Sequence, residues 1–199
     1  TYSGSTEIGR KPVGFTASAA ASVKPTISSV TITPVNSNTW LSSKGIYVAG
    51  RSKARVITSA SPGAGSSISS YSITGIGGGS GADWTSNVLS AGSKTITITV
   101  ADRPGRTDTA TRSITVLAYS VPGINNLSYA RGTYSGSVWT ANDNGADIQV
   151  SFALGLSLSD YGNTADITVK LDGVTKASAT AQAAGEKVYY IVGVGTDTT

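Results

Sequence analysis

The sequence predicts an all-β protein, and three observations lead there. Ile and Val number 15 and 17 against 8 Leu, Met and Cys are absent, and Ser, Thr and Gly supply 30, 26 and 24 of the 199 residues. Strands favour β-branched side chains, whereas helices favour Leu, Ala, Glu and Lys. The segment Lys94–Val100 alternates Thr with Ile or Val without interruption, as a strand with one buried face requires. Turn chemistry recurs between such segments, in Asp-Arg-Pro-Gly, in Asp-Gly and in the five glycines of Gly75–Gly81. Leu, Ile, Val and Phe together make only 42 residues, near the level below which a chain cannot bury enough surface to fold. With 13% charged residues and a net charge of +4, self-repulsion does not force disorder.

Two proline seams divide the chain. Lys24-Pro25-Thr26-Ile27 follows the small-residue run Ala17–Ser22, and Ala118-Tyr119-Ser120-Val121-Pro122-Gly123 lies about 97 residues further on. Each opens a similar pattern, Pro25-Thr26-Ile27-Ser28-Ser29-Val30 and Pro122-Gly123-Ile124-Asn125-Asn126-Leu127. Proline fixes its own φ and keeps the preceding residue extended, so both seams read as stiff junctions. The expected organisation is residues 1–24 as the end of a preceding β module or an extension, 25–118 as one domain and 119–199 as a second.

In residues 25–118 strands are expected near Ser29–Thr33, Gly45–Ala49, Arg55–Thr58 and Ser70–Thr74. Gly75–Gly81 is a loop. Lys94–Val100 then pairs across the Asp102–Arg106 turn with a return strand carrying Ala110, Arg112, Ile114 and Val116 at alternate positions. Seven short strands with Gly-rich turns indicate an immunoglobulin-like sandwich. In residues 119–199 the strand Asp147–Leu154 places Ile148, Val150, Phe152 and Leu154 on one face. Ala165–Leu171 and Val174–Thr180 flank Asp172-Gly173, a favoured two-residue hairpin turn, and Lys187–Val194 alternates more loosely. A counterpart of Thr107–Val116 is missing from this second plan, so a truncated module is expected, completed by further sequence or by a neighbour. Thr6–Ile8 and Gly14–Ala17 resemble the last strands of an earlier module.

The hairpin and seam Thr97-Ile98-Thr99-Val100-Ala101-Asp102-Arg103-Pro104-Gly105-Arg106 and Ser113-Ile114-Thr115-Val116-Leu117-Ala118-Tyr119-Ser120-Val121-Pro122 resemble minor structural tail proteins of siphophages and their prophages. Asn142-Asp143-Asn144-Gly145 looks like that family's Asn-Asp-x-Gly loop, and the match covers roughly residues 91–171. The resemblance implies tandem immunoglobulin-like domains, a place in a phage tail and no active site. The family's Asp-Ser-Arg-Gly turn appears here as Asp102-Arg103-Pro104-Gly105.

The absences narrow the chemistry. Without His or Cys, a Ser-His or Cys-His triad, a His/Cys zinc site and a disulfide are all excluded. Eleven acids remain, and no catalytic, cofactor-binding or metal-ligating residue is assigned. The protein is expected to be non-enzymatic, without a cofactor. Asn142–Asp147 offers clustered oxygens, but lacks the Asp-x-Asp-x-Asp-Gly spacing of a calcium loop and reads as an ordinary Asx turn. Arg51, Lys53 and Arg55 alternate and therefore share one strand face. Adhesion to an anionic glycopolymer or nucleic acid is one reading. A solvated face or guarded edge is favoured, because no aromatics interleave for base stacking. Trp40, Trp84 and Trp139 read as core or inter-domain packing rather than as a sugar platform, since each ring buries about 150–250 Å² in a chain short of large apolar groups. A phosphate cradle at Gly75–Gly81 would need a following helix and Lys, which are absent. No run approaches the about 18 apolar residues of a membrane helix. Charge divides as +2, +5 and −3 over residues 1–24, 25–118 and 119–199, a pattern suited to head-to-tail stacking.

The leading expectation is a structural component of a phage tail, a spacer, scaffold or host-surface contact located in the virion. Its partners would be other tail proteins, copies of itself and a bacterial-surface glycan, with no nucleic acid and no membrane insertion. The alternatives are a bacterial cell-surface adhesin stalk and a carbohydrate-binding module of a larger enzyme.

Overall fold

The computed structural model describes residues 23–196, Gly14 and the backbone of Tyr2–Ser3 and Thr6–Glu7. Strands make up 60% of the chain, so the protein is all-β in class. At the N-terminus β1 (Tyr2–Ser3) pairs antiparallel with β2 (Thr6–Glu7). Of the two segments expected there, Ile8 and residues 15–17 lie outside the described residues.

The first half runs β3 (Thr26–Asn36), α1 (Thr39–Lys44), β4 (Tyr47–Val48), β5 (Ser52–Ser61), β6 (Ile68–Thr74), β7 (Asp83–Thr85), β8 (Gly92–Asp102) and β9 (Thr107–Leu117). One sheet has the order β3-β5-β7 and the other β4-β9-β8-β6, with β4 and β9 parallel and the remaining pairs antiparallel. Alternation decides which side chains meet between them. In β5 Ser52, Ala54, Val56 and Thr58 point inward while Lys53, Arg55 and Ile57 point out. In β8 Ile96, Ile98 and Val100 are wholly buried. Ala54 and Val56 join Ile73, Ile76, Leu89, Val116 and the β8 side chains in one core, with Trp84 packed against it.

The β8–β9 turn shows why an Asp-x-x-Gly-Arg sequence is useful. Buried Asp102 accepts from the Arg106 N–H (3.0 Å) and from the guanidinium through Nε (2.9 Å) and Nη2 (2.6 Å). Gly105 takes the positive φ of 86° that the turn demands. The expected strand at Gly45–Ala49 shrinks to β4, because Asn38-to-Gly45 forms a helical turn instead. The Asn38 side chain accepts from the Trp40 N–H (2.8 Å) and Leu41 N–H (3.2 Å), and Gly45 closes the helix at φ 64°. The short strand β7 also escapes the sequence reading; only Trp84 of its three residues is apolar.

The second half runs β10 (Gly123–Ser135), β11 (Val138–Ala141), β12 (Asp147–Gly155), a 3-10 turn (Ser159–Tyr161), β13 (Ala165–Leu171), β14 (Val174–Gln182) and β15 (Gly185–Ile191). Its sheets have the orders β11-β10-β12-β15 and β13-β14, and no sheet mixes strands from the two halves. Asp172 and Gly173 have φ of 52° and 78°, the two positive values a tight primed hairpin needs. Gly136 and Ser137 make an equivalent turn at 56° and 66°, creating the β10–β11 hairpin that the sequence reading did not anticipate. Phe152, Leu154 and Ile167 form a small core, with the Tyr189 ring stacked 6.0 Å from that of Phe152.

Asp147 ties this half together. Its buried carboxylate accepts from the Tyr134 N–H (2.7 Å) and the Gly193 N–H (2.8 Å). Those two backbone donors hold its pKa below the ordinary carboxylate value. The Asn142–Gly145 segment is a turn: Gly145 N–H donates to the Asn142 carbonyl (2.8 Å), and Asn144 N–H to Asn142 Oδ1 (3.1 Å). Gly145 lies directly on the Gly132 backbone, leaving no room for a Cβ.

Candidate functional site

The junction between the halves builds a hollow with polar and aromatic walls. Tyr119 and Ser120 leave β9 and are fixed at once. The Ser120 N–H donates to Ser157 Oγ (3.2 Å), and the Ser157 hydroxyl donates to the Ser120 carbonyl (2.8 Å). The Arg51 guanidinium sits over the Tyr119 ring, 5.3 Å from its centre. A cavity of about 380 Å³ opens between them, walled by Asn38 and Trp40 of the α1 region, Arg51, Tyr119 and, from the second half, Leu158 and Asn163.

Each wall group is aimed by local structure. The Asn38 oxygen is engaged in capping α1, which leaves its amide nitrogen as a donor. Asn163 donates to the Ser157 carbonyl (2.8 Å) and keeps its oxygen as an acceptor. Trp40 is half-buried on α1, with Lys44 Nζ 5.9 Å from its ring centre. The hollow is therefore lined by two aromatic side chains, a cation and amide groups, and no Asp or Glu lines it. Such a set stacks against and hydrogen-bonds hydroxylated or anionic ligands, and supplies no carboxylate for acid–base chemistry.

Of the cations singled out in the sequence, Lys53 and Arg55 lie on the outward face of β5, whereas Arg51 precedes the strand in a turn and does not share that face. Arg55 forms a two-pronged pair with Asp83 through Nε (2.9 Å) and Nη2 (2.5 Å), with both side chains about half exposed. The guanidinium hydrogen bond lowers the Asp83 pKa. Arg51 turns to Tyr119, and Arg51 and Lys53 together line a second hollow of about 370 Å³ with Val35 and Val88. The three tryptophans separate. Trp84 packs on the first core against Gly79, where a Cβ would collide with the indole. Trp139 tilts against Tyr190 at 5.7 Å, and Tyr190 stacks on Tyr134 at 4.1 Å. Trp40 alone of the three walls the junction hollow. Its place was hidden in the sequence because the six residues of α1 carry no helical apolar period. Among the described residues no group of three or more His, Cys, Asp or Glu is placed to hold a metal ion, and no helix is long and apolar enough to cross a membrane.

Residues 1–150 match the model of a family described as Siphovirus protein of unknown function (DUF859), and the chain belongs to this family. No curated protein and no solved structure matches it.

Proposed function

We propose that this member of a siphovirus family is a non-enzymatic structural component of the phage tail, a spacer or scaffold of tandem immunoglobulin-like modules within a tail fibre or tip. The junction carries this reading. Two sets of sheets of similar plan are joined by a short segment containing Val121-Pro122, whose backbone is pinned to Ser157 on both sides of Ser120. A junction held this way keeps what lies beyond it at a set distance, which is the mechanical task of a spacer. The strand plan supports the module type. In chain order β3, β5 and β7 take the places of strands A, B and E of an immunoglobulin fold, and β6, β8 and β9 those of C, F and G. Other tail proteins and further copies of the chain are the proposed partners. Family membership favours this virion setting over a wall-anchored adhesin stalk or a module of a carbohydrate-active enzyme.

A second reading, contact with a bacterial-surface glycan, draws on the aromatic side chains and cation of the junction hollow. It is compatible with the first, since a spacer exposed on a tail meets the cell surface. Labelling of gradient-purified virions with antibody against this chain tests the main proposal. Label confined to the tail is expected; absence of the chain from infectious particles would overturn it.

A further inference from the structure

The two halves repeat one plan with an offset of 97 residues, and the repeat exposes a place left open. Ile27, Val30 and Ile32 of β3 correspond to Ile124, Leu127 and Tyr129 of β10. Both strands carry a bulge near their start, between Ile27 and Ser29 and, one or two residues further along by the same offset, between Asn125 and Ser128. By the same order β12 corresponds to β5, β13 to β6 and β15 to β7.

In the first half, the free edge of β6 is taken by β8, Ser70–Thr74 lying opposite Thr97–Ala101, and β9 then pairs with β8. The hairpin inserts Ile96, Ile98, Val100 and Val116 beneath β3 and β5. In the second half β13 pairs with β14 along one edge only, and among the described residues nothing pairs with the other. A groove of about 420 Å³ runs there, floored by Leu127, Tyr129, Val150 and Phe152. Its wall is the continuous run Ile167–Leu171, including the outward-facing Thr168 and Lys170. Neighbouring residues of a strand point to opposite faces, so a hollow touching all of them opens on the strand's edge, where its N–H and C=O groups lie. Ile124, Leu127 and Tyr129 are 60%, 65% and 81% exposed, while their counterparts in β3 are half-buried against the first core.

We infer that this groove is an acceptor for a protein β-hairpin whose first strand alternates Ile or Val with Thr or Ser, docked along the free edge of β13 as β8–β9 docks on β6. The edge supplies unpaired backbone groups and the floor supplies apolar contacts, the two requirements of strand addition. Two strands are needed rather than one: in the first half the strand that reaches β3 is the second of the pair, where Asp108 of β9 accepts the Ile27 N–H (2.9 Å). The inference rests on the internal repeat alone and does not depend on where in the virion the chain resides.

The test uses the full chain, alone and with a duplicate of Gly92–Leu117 appended through a flexible linker the length of Ser86–Ala91. Hydrogen exchange is followed at the β13 and β10 amides. The appended hairpin is expected to slow exchange at Ile167–Leu171 by about ten-fold or more. A control hairpin with the copies of Ile96, Ile98 and Val100 changed to Ser is expected to leave it unchanged. Unaltered exchange with the intact hairpin would overturn the inference, as would equal slowing by the control. Protection of β13 in the unmodified chain accompanied by dimers in sedimentation would assign the groove to a second copy instead, and would also overturn it.

Discussion

Strands β3 and β10 present apolar side chains at matching positions, and they fare differently. Ile27, Val30 and Ile32 pack on a core built by two full sheets; Ile124, Leu127 and Tyr129 face an open groove. The cause lies opposite them. Among the described residues the first half sets four strands, β4-β9-β8-β6, against β3 and β5, whereas the second sets two, β13-β14, against β10 and β12. Alternation makes one face of a strand available for burial, but what is buried is settled by the width of the facing sheet. Polar anchoring follows a common logic in both halves. Asp102 closes the β8–β9 turn through Arg106, and Asp147 gathers β10 and the residues after β15 through two backbone donors. Each is a buried acid with its acceptors satisfied, which is the condition for burying charge without large loss.

The largest contrast is expected from apolar substitutions on the two sides. Ile98→Ala, at a wholly buried site, should cost about 2–5 kcal/mol in denaturant unfolding with an unchanged slope. Tyr129→Ser, at 81% exposure, should stay within about 0.5 kcal/mol. A comparable loss at Tyr129 would show that β10 is covered in solution and would erase the contrast.

Acid should sharpen it next. Asp102 is held at a lowered pKa chiefly by the Arg106 guanidinium, Asp108 by the Ile27 N–H and Lys24, and Asp147 by the Tyr134 and Gly193 N–H groups. All three bind protons more weakly folded than unfolded, where an Asp titrates near about 3.9. Below that value the unfolded chain takes up protons first, so stability falls with pH; above about pH 5 the contribution is complete. Melts read at Trp84 for the first half and Trp139 for the second, each as the single remaining tryptophan, should both fall in midpoint as pH drops below about 4. Asp147→Asn should flatten the acid dependence seen at Trp139 and leave that at Trp84 as before. Equal flattening at both would mean that the halves unfold as one unit.

The smallest effect is expected at the surface cations. Replacing Arg51, Lys53 and Arg55 together by Ser should change stability by less than about 0.5 kcal/mol, because their charges are solvated and the Arg55–Asp83 pair is exposed. Loss of binding to whole bacteria by this variant, with its melting temperature kept, would transfer the weight of the junction face from support to adhesion.

Much of the local structure was legible because it depends on neighbours in sequence. Ala165–Leu171 ends where Asp172-Gly173 turns, and Thr107–Leu117 returns across Asp102–Arg106, since alternation and turn residues act over a few bonds. Helix α1 was legible too, in Asn38 and Gly45, yet six residues without an apolar stripe give no period to detect. The β10–β11 turn at Gly136-Ser137 was masked because β10 lacks a regular alternation before it and β11 has only four residues after it.

Sequence by itself determined the all-β class, the exclusion of His and Cys chemistry, the position of the proline seam and the outward face of Lys53 and Arg55. Tertiary structure alone decided that Trp40, Arg51 and Tyr119 line a hollow with Asn163, and that among the described residues no strand pairs with the second edge of Ile167–Leu171. The physical reason is range. Backbone preference and alternation are set within a few residues, while a cavity or a free edge exists only through what stands across from it, and Trp40 and Asn163 are brought together by the packing of distant segments.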